Sequence, residues 1–183
     1  MAIDIFCADE QEDHHVEVAR FGDLARRVLE AQALKGDVEV SLLFVDEPSM
    51  TELNSRFLGE SGPTDVLAFP IEDEPELPGR SPDEGGTGPG GPIEPPDVPL
   101  LLGDIVICPL VASSNAKERG VSFEAEIELL VVHGILHLLG MDHEEEDEAK
   151  QMEERQTNLL RRFGTEGTSI PSGTLTDPHK SDE

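Results

Sequence analysis

The sequence predicts an α+β domain, or one built on a mixed sheet. Three observations lead there. Strand-like and helix-like segments alternate in the order βαβαββααα along a chain of 183 residues, a length that suits one domain. Some of the strands follow one another closely enough to pair locally. Apolar residues make up 37% of the chain and cluster between residues 16 and 163, which is lean but enough for a core.

The elements follow from local pattern. "AIDIFC" (2–7) alternates and is β-prone, so it is a strand. Residues 16–34 carry apolar side chains at helical spacing, with Gly36 placed to stop the helix. "VEVSLLFVD" (38–46) is a second strand. Residues 48–58 suit a short helix: Pro48 is tolerated at its start, and Met50, Leu53 and Phe57 share a face. "TDVLAFP" (64–70) is a third strand. "LLGDIVICP" (101–109) is a fourth, apolar enough to lie centrally in a sheet. Residues 110–120 form a helix ending at Gly120. Ser122 then caps a long helix whose first turn holds Glu124 and Glu126, where carboxylates suit the positive end of the helix dipole. The last helix, 144–163, is acidic at its start and ends in Arg161 and Arg162, the sense the dipole prefers.

The domain is expected to span residues 1–164. Within it, residues 71–99 are dominated by Pro, Gly and acidic residues and are expected to be a disordered insertion between two strands. Residues 165–183 are expected to be a disordered tail. There is no basic N-terminal segment leading into an apolar run, and so no signal peptide is expected. No stretch approaches the ~18 apolar residues of a membrane span. Cys7 and Cys108 sit in apolar strand-like runs and read as small buried hydrophobes in a reducing cytosol. A cytoplasmic protein is the expectation.

The net charge of -27 argues against a generic nucleic-acid binder, because phosphate attraction normally needs a basic surface. Most of that charge lies in three runs, 9–17, 71–99 and 144–154, where acidity for solubility is the simpler reading.

"VVHGILHLLGMDHEEE" (131–146) carries the chemistry. His133 and His137 are four apart, roughly 6 Å of rise and 40° of rotation on a helix, so both rings project from one face. That is metal-ligand spacing. A lone histidine there would read as a satisfied core residue. His143 would lie roughly 9 Å beyond His137 on a continuous helix, too far to share a metal. Gly140, however, can take the left-handed conformation that ends a helix and turns the chain. Two ligands on a helix, a glycine turn and a third ligand make a coherent three-histidine site. A fourth position left to water is the catalytic arrangement, in which the ion lowers the water's pKa to roughly 7.

His133, His137, Gly140 and His143 match the spacing of the metzincin motif HExxHxxGxxH, but Gly134 stands where a protease has its general-base glutamate. The site therefore reads as metal-dependent and hydrolytic without the group that peptide hydrolysis uses. Asp142 admits two readings: a carboxylate supporting the site or acting as base, or a turn residue capping the helix that begins near Glu144.

Three stretches, "GPTDVLAFP" (62–70), "LLGDIVICP" (101–109) and "VVHGILHLLGMDHEEEDEAKQMEERQ" (131–156), resemble the YbeY-type endoribonucleases, rRNA maturation factors of bacteria. The family's H-G-x-x-H-x-x-G-x-D-H run is present without a mismatch, and the resemblance covers most of residues 38–163. It implies a small mixed sheet flanked by helices, with one zinc ion on His133, His137 and His143. It implies hydrolysis of single-stranded RNA in 16S rRNA 3′-end maturation and ribosome quality control, with rRNA, ribosomal particles and late-assembly factors as partners. Family members often carry an arginine six residues before the Thr of T-D-V; here that position is Leu58, and Arg56 is the nearest candidate for a substrate contact. Two residues on a helix swing a side chain by about 200°, so Arg56 is no simple replacement and also reads as a solvated helix residue. Thr64 and Asp65 receive no chemical role.

Phosphodiester cleavage is compatible with glycine at 134, because zinc can activate water or polarise a phosphoryl oxygen. With no Trp or Tyr, base stacking would fall to Phe, His or Arg. Arg20, Arg26, Arg27 and Lys35 form one local basic group, and Lys117 with Arg119 another; sequence alone does not join them into a patch. Delivery of the substrate by the ribosome or a protein partner would reconcile the charge with an RNA substrate. Two rival functions remain: a non-catalytic assembly factor with structural zinc, and a metalloprotease in which Glu126 or Glu128 replaces the missing base.

Overall fold

The computed structural model describes residues 2–34, 36–71, 99–141 and 144–165. The expected insertion and tail lie almost wholly outside the described residues, as do Lys35, Asp142 and His143. The elements are β1 (Ile3–Glu10), α1 (Val18–Glu30), β2 (Val38–Val45), α2 (Glu47–Leu58), β3 (Val66–Pro70), β4 (Leu100–Ile107), α3 (Pro109–Arg119), α4 (Phe123–Leu138) and α5 (Glu146–Phe163). The order is the one the sequence predicts.

The four strands form one mixed sheet in the order β1-β2-β4-β3. β1 pairs parallel with β2, β2 parallel with β4, and β3 antiparallel with β4. The apolar β4 is therefore an inner strand, as its composition requires. Side chains alternate across the sheet. Ile105 and Ile107 face a large core built with α1, α4 and α5. Val106 faces the other way, into a smaller cluster with Val45, Met50 and Leu67 beneath α2. The helix α4 is buried nearly all round, as expected of an apolar helix in the middle of a fold.

Element ends differ from the sequence expectation where tertiary contacts override local pattern. β1 runs on to Glu10, because its polar end still pairs with β2 through Val45. α1 stops at Glu30 rather than residue 34; Ala33 takes a positive φ of 52°, yet Leu34 still packs on the core. β4 ends at Ile107, and Pro109 opens α3 in the first turn, where its missing N–H costs nothing. Phe57 does not join Met50 in the core. It is 57% exposed and packs on Phe69 with ring centroids 5.1 Å apart. Among the described residues, no helix is long and apolar enough to cross a membrane.

Candidate metal centre

α4 begins where the sequence says it should: Ser122 Oγ accepts a hydrogen bond from Ala125 N–H at 3.1 Å. It ends in a glycine turn. Gly140 has φ 87°, its N–H donates to His137 O, and Met141 N–H donates to Leu136 O, each at 3.0 Å. These paired bonds satisfy carbonyls that the helix end would leave open. The helix therefore ends at the glycine the sequence points to, and His143 lies outside the described residues.

His133 and His137 occupy one face of α4. Their Nε2 atoms lie 2.9 Å apart, and their rings meet edge to face with centroids 4.5 Å apart. Nitrogen ligands of a tetrahedral zinc, bonded at ~2.0–2.1 Å, sit roughly 3.3 Å apart, so a slight spreading of the rings would admit an ion. Paired imidazoles suit zinc and neighbouring transition metals, not the oxygen-seeking Mg²⁺ or Ca²⁺. Among the described residues no third His, Cys, Asp or Glu completes a metal-binding group.

One further partner of His133 was not foreseeable from the sequence. Gln156 of α5, 6% exposed, places Oε1 3.0 Å from His133 Nδ1. Its only sequence signal is polarity at a position that shares the buried stripe of Met152, Leu159 and Leu160.

Gly134 has a structural reason. A Cβ there would stand 2.8 Å from Ile105 Cγ2, because α4 packs directly on β4 at this point. Any side chain there would force Ile105 or the helix to shift, so close packing accounts for the glycine that stands where a protease has its base. Glu126 and Glu128 are not spare bases. Glu128 pairs with Arg20 at 3.1 Å and accepts from Thr165 N–H at 3.1 Å; Glu126 pairs with Arg119 at 3.4 Å. Burial pushes the Glu126 carboxyl above its usual range, Arg119 opposes the shift, and the nearby Asp65 adds to it.

Asp65 is a structural residue. Its Oδ1 accepts from Val66 N–H at 2.8 Å, and its Oδ2 accepts from Asn115 Nδ2 at 3.2 Å. The carboxyl thus ties the start of β3 to α3. Burial raises its pKa, against its hydrogen bonds and Arg119.

Arg56 is exposed at the end of α2, its guanidinium carbon 5.7 Å from the Phe57 ring centroid. α2 covers the face of the sheet opposite to α4. The two histidines and Arg56 are thus not gathered into one cluster. The basic groups also disperse: Arg20 and Arg119 serve the buried glutamates, and Arg27 pairs with Asp23 at 3.0 Å.

The family model for endoribonuclease YbeY matches residues 6–164. The chain belongs to that family. Endoribonuclease YbeY of Beutenbergia cavernae is 46% identical over 149 residues, which cover 81% of this chain and 89% of that protein. Its counterpart in Acidothermus cellulolyticus is 47% identical over 146 residues, 79% of this chain and 82% of that one. The fold matches the solution structure of TM1509 from Thermotoga maritima with a TM-score of 0.54 at 32% identity, covering 97% of this chain and 99% of that one. The YbeY match embraces all three histidines of the 133–143 run and Gln156.

Proposed function

We propose that the chain is a metal-dependent endoribonuclease that cuts single-stranded RNA at a zinc ion held by His133, His137 and His143. Its proposed work is 16S rRNA 3′-end maturation and ribosome quality control in the cytoplasm. The observation that carries this reading is the convergence of two imidazole Nε2 atoms, 2.9 Å apart, on the helix of a YbeY-family chain. Zinc, when bound, would supply Lewis-acid stabilisation of the charge that builds on the phosphodiester.

The chain's own residues have separable parts. His133 and His137 present nitrogen donors from a rigid buried helix. Gly134 lets that helix lie against β4, Gly140 ends it, and His143 is the proposed third ligand. Asp142 keeps both proposed roles, support of the site or a turn. Arg56 contributes to phosphate binding only if the RNA strand rounds the β3 edge of the sheet.

A net charge of -27, with Arg20, Arg27 and Arg119 engaged internally, leaves little to attract free RNA. We therefore assign delivery of the substrate to ribosomal particles and late-assembly factors.

The test is His137→Ala against wild type, with zinc content, thermal melting and cleavage of a single-stranded RNA bearing the 16S 3′ end, free and within ribosomal particles. Loss of zinc and cleavage with the fold retained is the expected outcome. Unchanged cleavage by a zinc-free variant would move the chemistry elsewhere. A variant that unfolds, beside a wild type that cuts neither substrate, would favour structural zinc in an assembly factor.

A further inference from the structure

We propose that Gln156 is the positioning residue of the metal centre: it fixes the tautomer of His133 so that Nε2 carries the ligating lone pair. The proposal rests on the reading of His133 and His137 as ligands. A neutral imidazole has one N–H and one bare nitrogen. The amide oxygen of Gln156 accepts and never donates, and it stands 3.0 Å from Nδ1. The proton therefore belongs on Nδ1, and the bare nitrogen is Nε2, the one that faces His137. The opposite tautomer would set a lone pair against that oxygen, or require the amide to turn over and offer its NH2 to Nδ1, which the His133 ¹⁵N pattern distinguishes.

The placement of Gln156 suits that task. It lies on the stripe of α5 that buries Met152, Leu159 and Leu160, and those contacts anchor the helix around it. The residue is 6% exposed, so water does not compete freely for Nδ1. Partners that hold the far nitrogen of a ligating histidine typically change metal affinity 10–100-fold when removed. The acceptor here is an amide, so it orients the ring without bringing a further negative charge to the ion.

The test compares wild type with Gln156→Met, which keeps the length and loses the acceptor, Gln156→Glu, which keeps an acceptor, and His137→Ala. Three quantities are read: zinc affinity by competition with a chelator, the imidazole ¹⁵N pattern of His133 in metal-free protein, and the metal-free melting temperature. Gln156→Met is expected to bind zinc roughly 10–100-fold more weakly and to lose the Nδ1–H preference, with melting little changed. Gln156→Glu is expected to recover most of the affinity. Wild-type affinity and an unchanged His133 pattern in Gln156→Met, while His137→Ala loses zinc, would overturn the role of Gln156 alone. Wild-type affinity in His137→Ala would overturn the metal-site reading beneath it. If Gln156→Met does not fold, Gln156→Asn, one methylene short of Nδ1, takes its place: weaker zinc binding supports the role of Gln156, and wild-type affinity overturns it.

Discussion

At the scale of single residues, the glycine that stands where a protease has its base marks close packing. Gly134 is what a helix needs to lie on Ile105 without a clash; an added Cβ would sit 2.8 Å from Cγ2. Gly134→Ala is expected to cost about 1–3 kcal/mol as an overpacked core. In an Ile105→Ala background, where that methyl is gone, the same change is expected to cost less, with a coupling of roughly 0.5–3 kcal/mol. Urea denaturation of the four proteins of this cycle measures it; additive losses would mean that Gly134 is needed for something other than Ile105. The histidines and Gly140 are legible in the sequence because spacing and the left-handed helix stop are local properties. Gln156 is not, because its partner lies 23 residues away and nothing local distinguishes a buried amide from a solvated one.

At the scale of elements, charge pairs that look alike in sequence do different work. Arg20 and Arg27 both lie on α1. Arg27 pairs with Asp23 on the surface of the same helix, whereas Arg20 reaches Glu128, whose side chain is 4% exposed on α4. Arg27→Ala is expected to cost less than about 0.5 kcal/mol, as exposed i,i+4 pairs do. Arg20→Ala leaves a buried carboxylate short of its cation and is expected to cost about 3 kcal/mol. Equal losses on chemical denaturation would contradict the assignment. The Arg20 pair joins α1 to α4, the helix that carries His133 and His137, so it holds the scaffold rather than RNA. Helix periodicity marks which residues lie along α1, but not which carboxylate waits across the packing interface.

At the scale of the whole molecule, stability is tied to pH through Glu126, which is 1% exposed and faces Arg119 and Asp65. Burial raises its pKa above the ordinary 4.5. Between the two values the native state keeps a proton that the unfolded chain has released, so native binding exceeds unfolded binding and stability falls as pH rises. The contribution is fully present below the unfolded value and lost as pH climbs through the folded one. Glu126→Gln is expected to flatten that part of the profile, leaving the share due to Asp65, whose carboxyl is raised by the same cause. Melting temperatures from about pH 4 to 8 in metal-free buffer decide it; a variant with the wild-type slope would show that Glu126 does not titrate across this range.

The sequence by itself determined the element order, the inner place of β4, the Ser122 and Gly140 ends of α4, and the pairing of His133 with His137 on one face. All of these depend on residues within about one or two helical turns, or on apolar density along one strand. Only the tertiary structure decided that Gly134 is dictated by Ile105, that Asp65 clamps β3 to α3, that Phe57 stays exposed, and that Arg20 and Arg119 are spent on buried glutamates. It alone brought Gln156 to His133. Those relations join segments distant in sequence, and their energies come from desolvation and close contact, which exist only once the sheet and helices have packed.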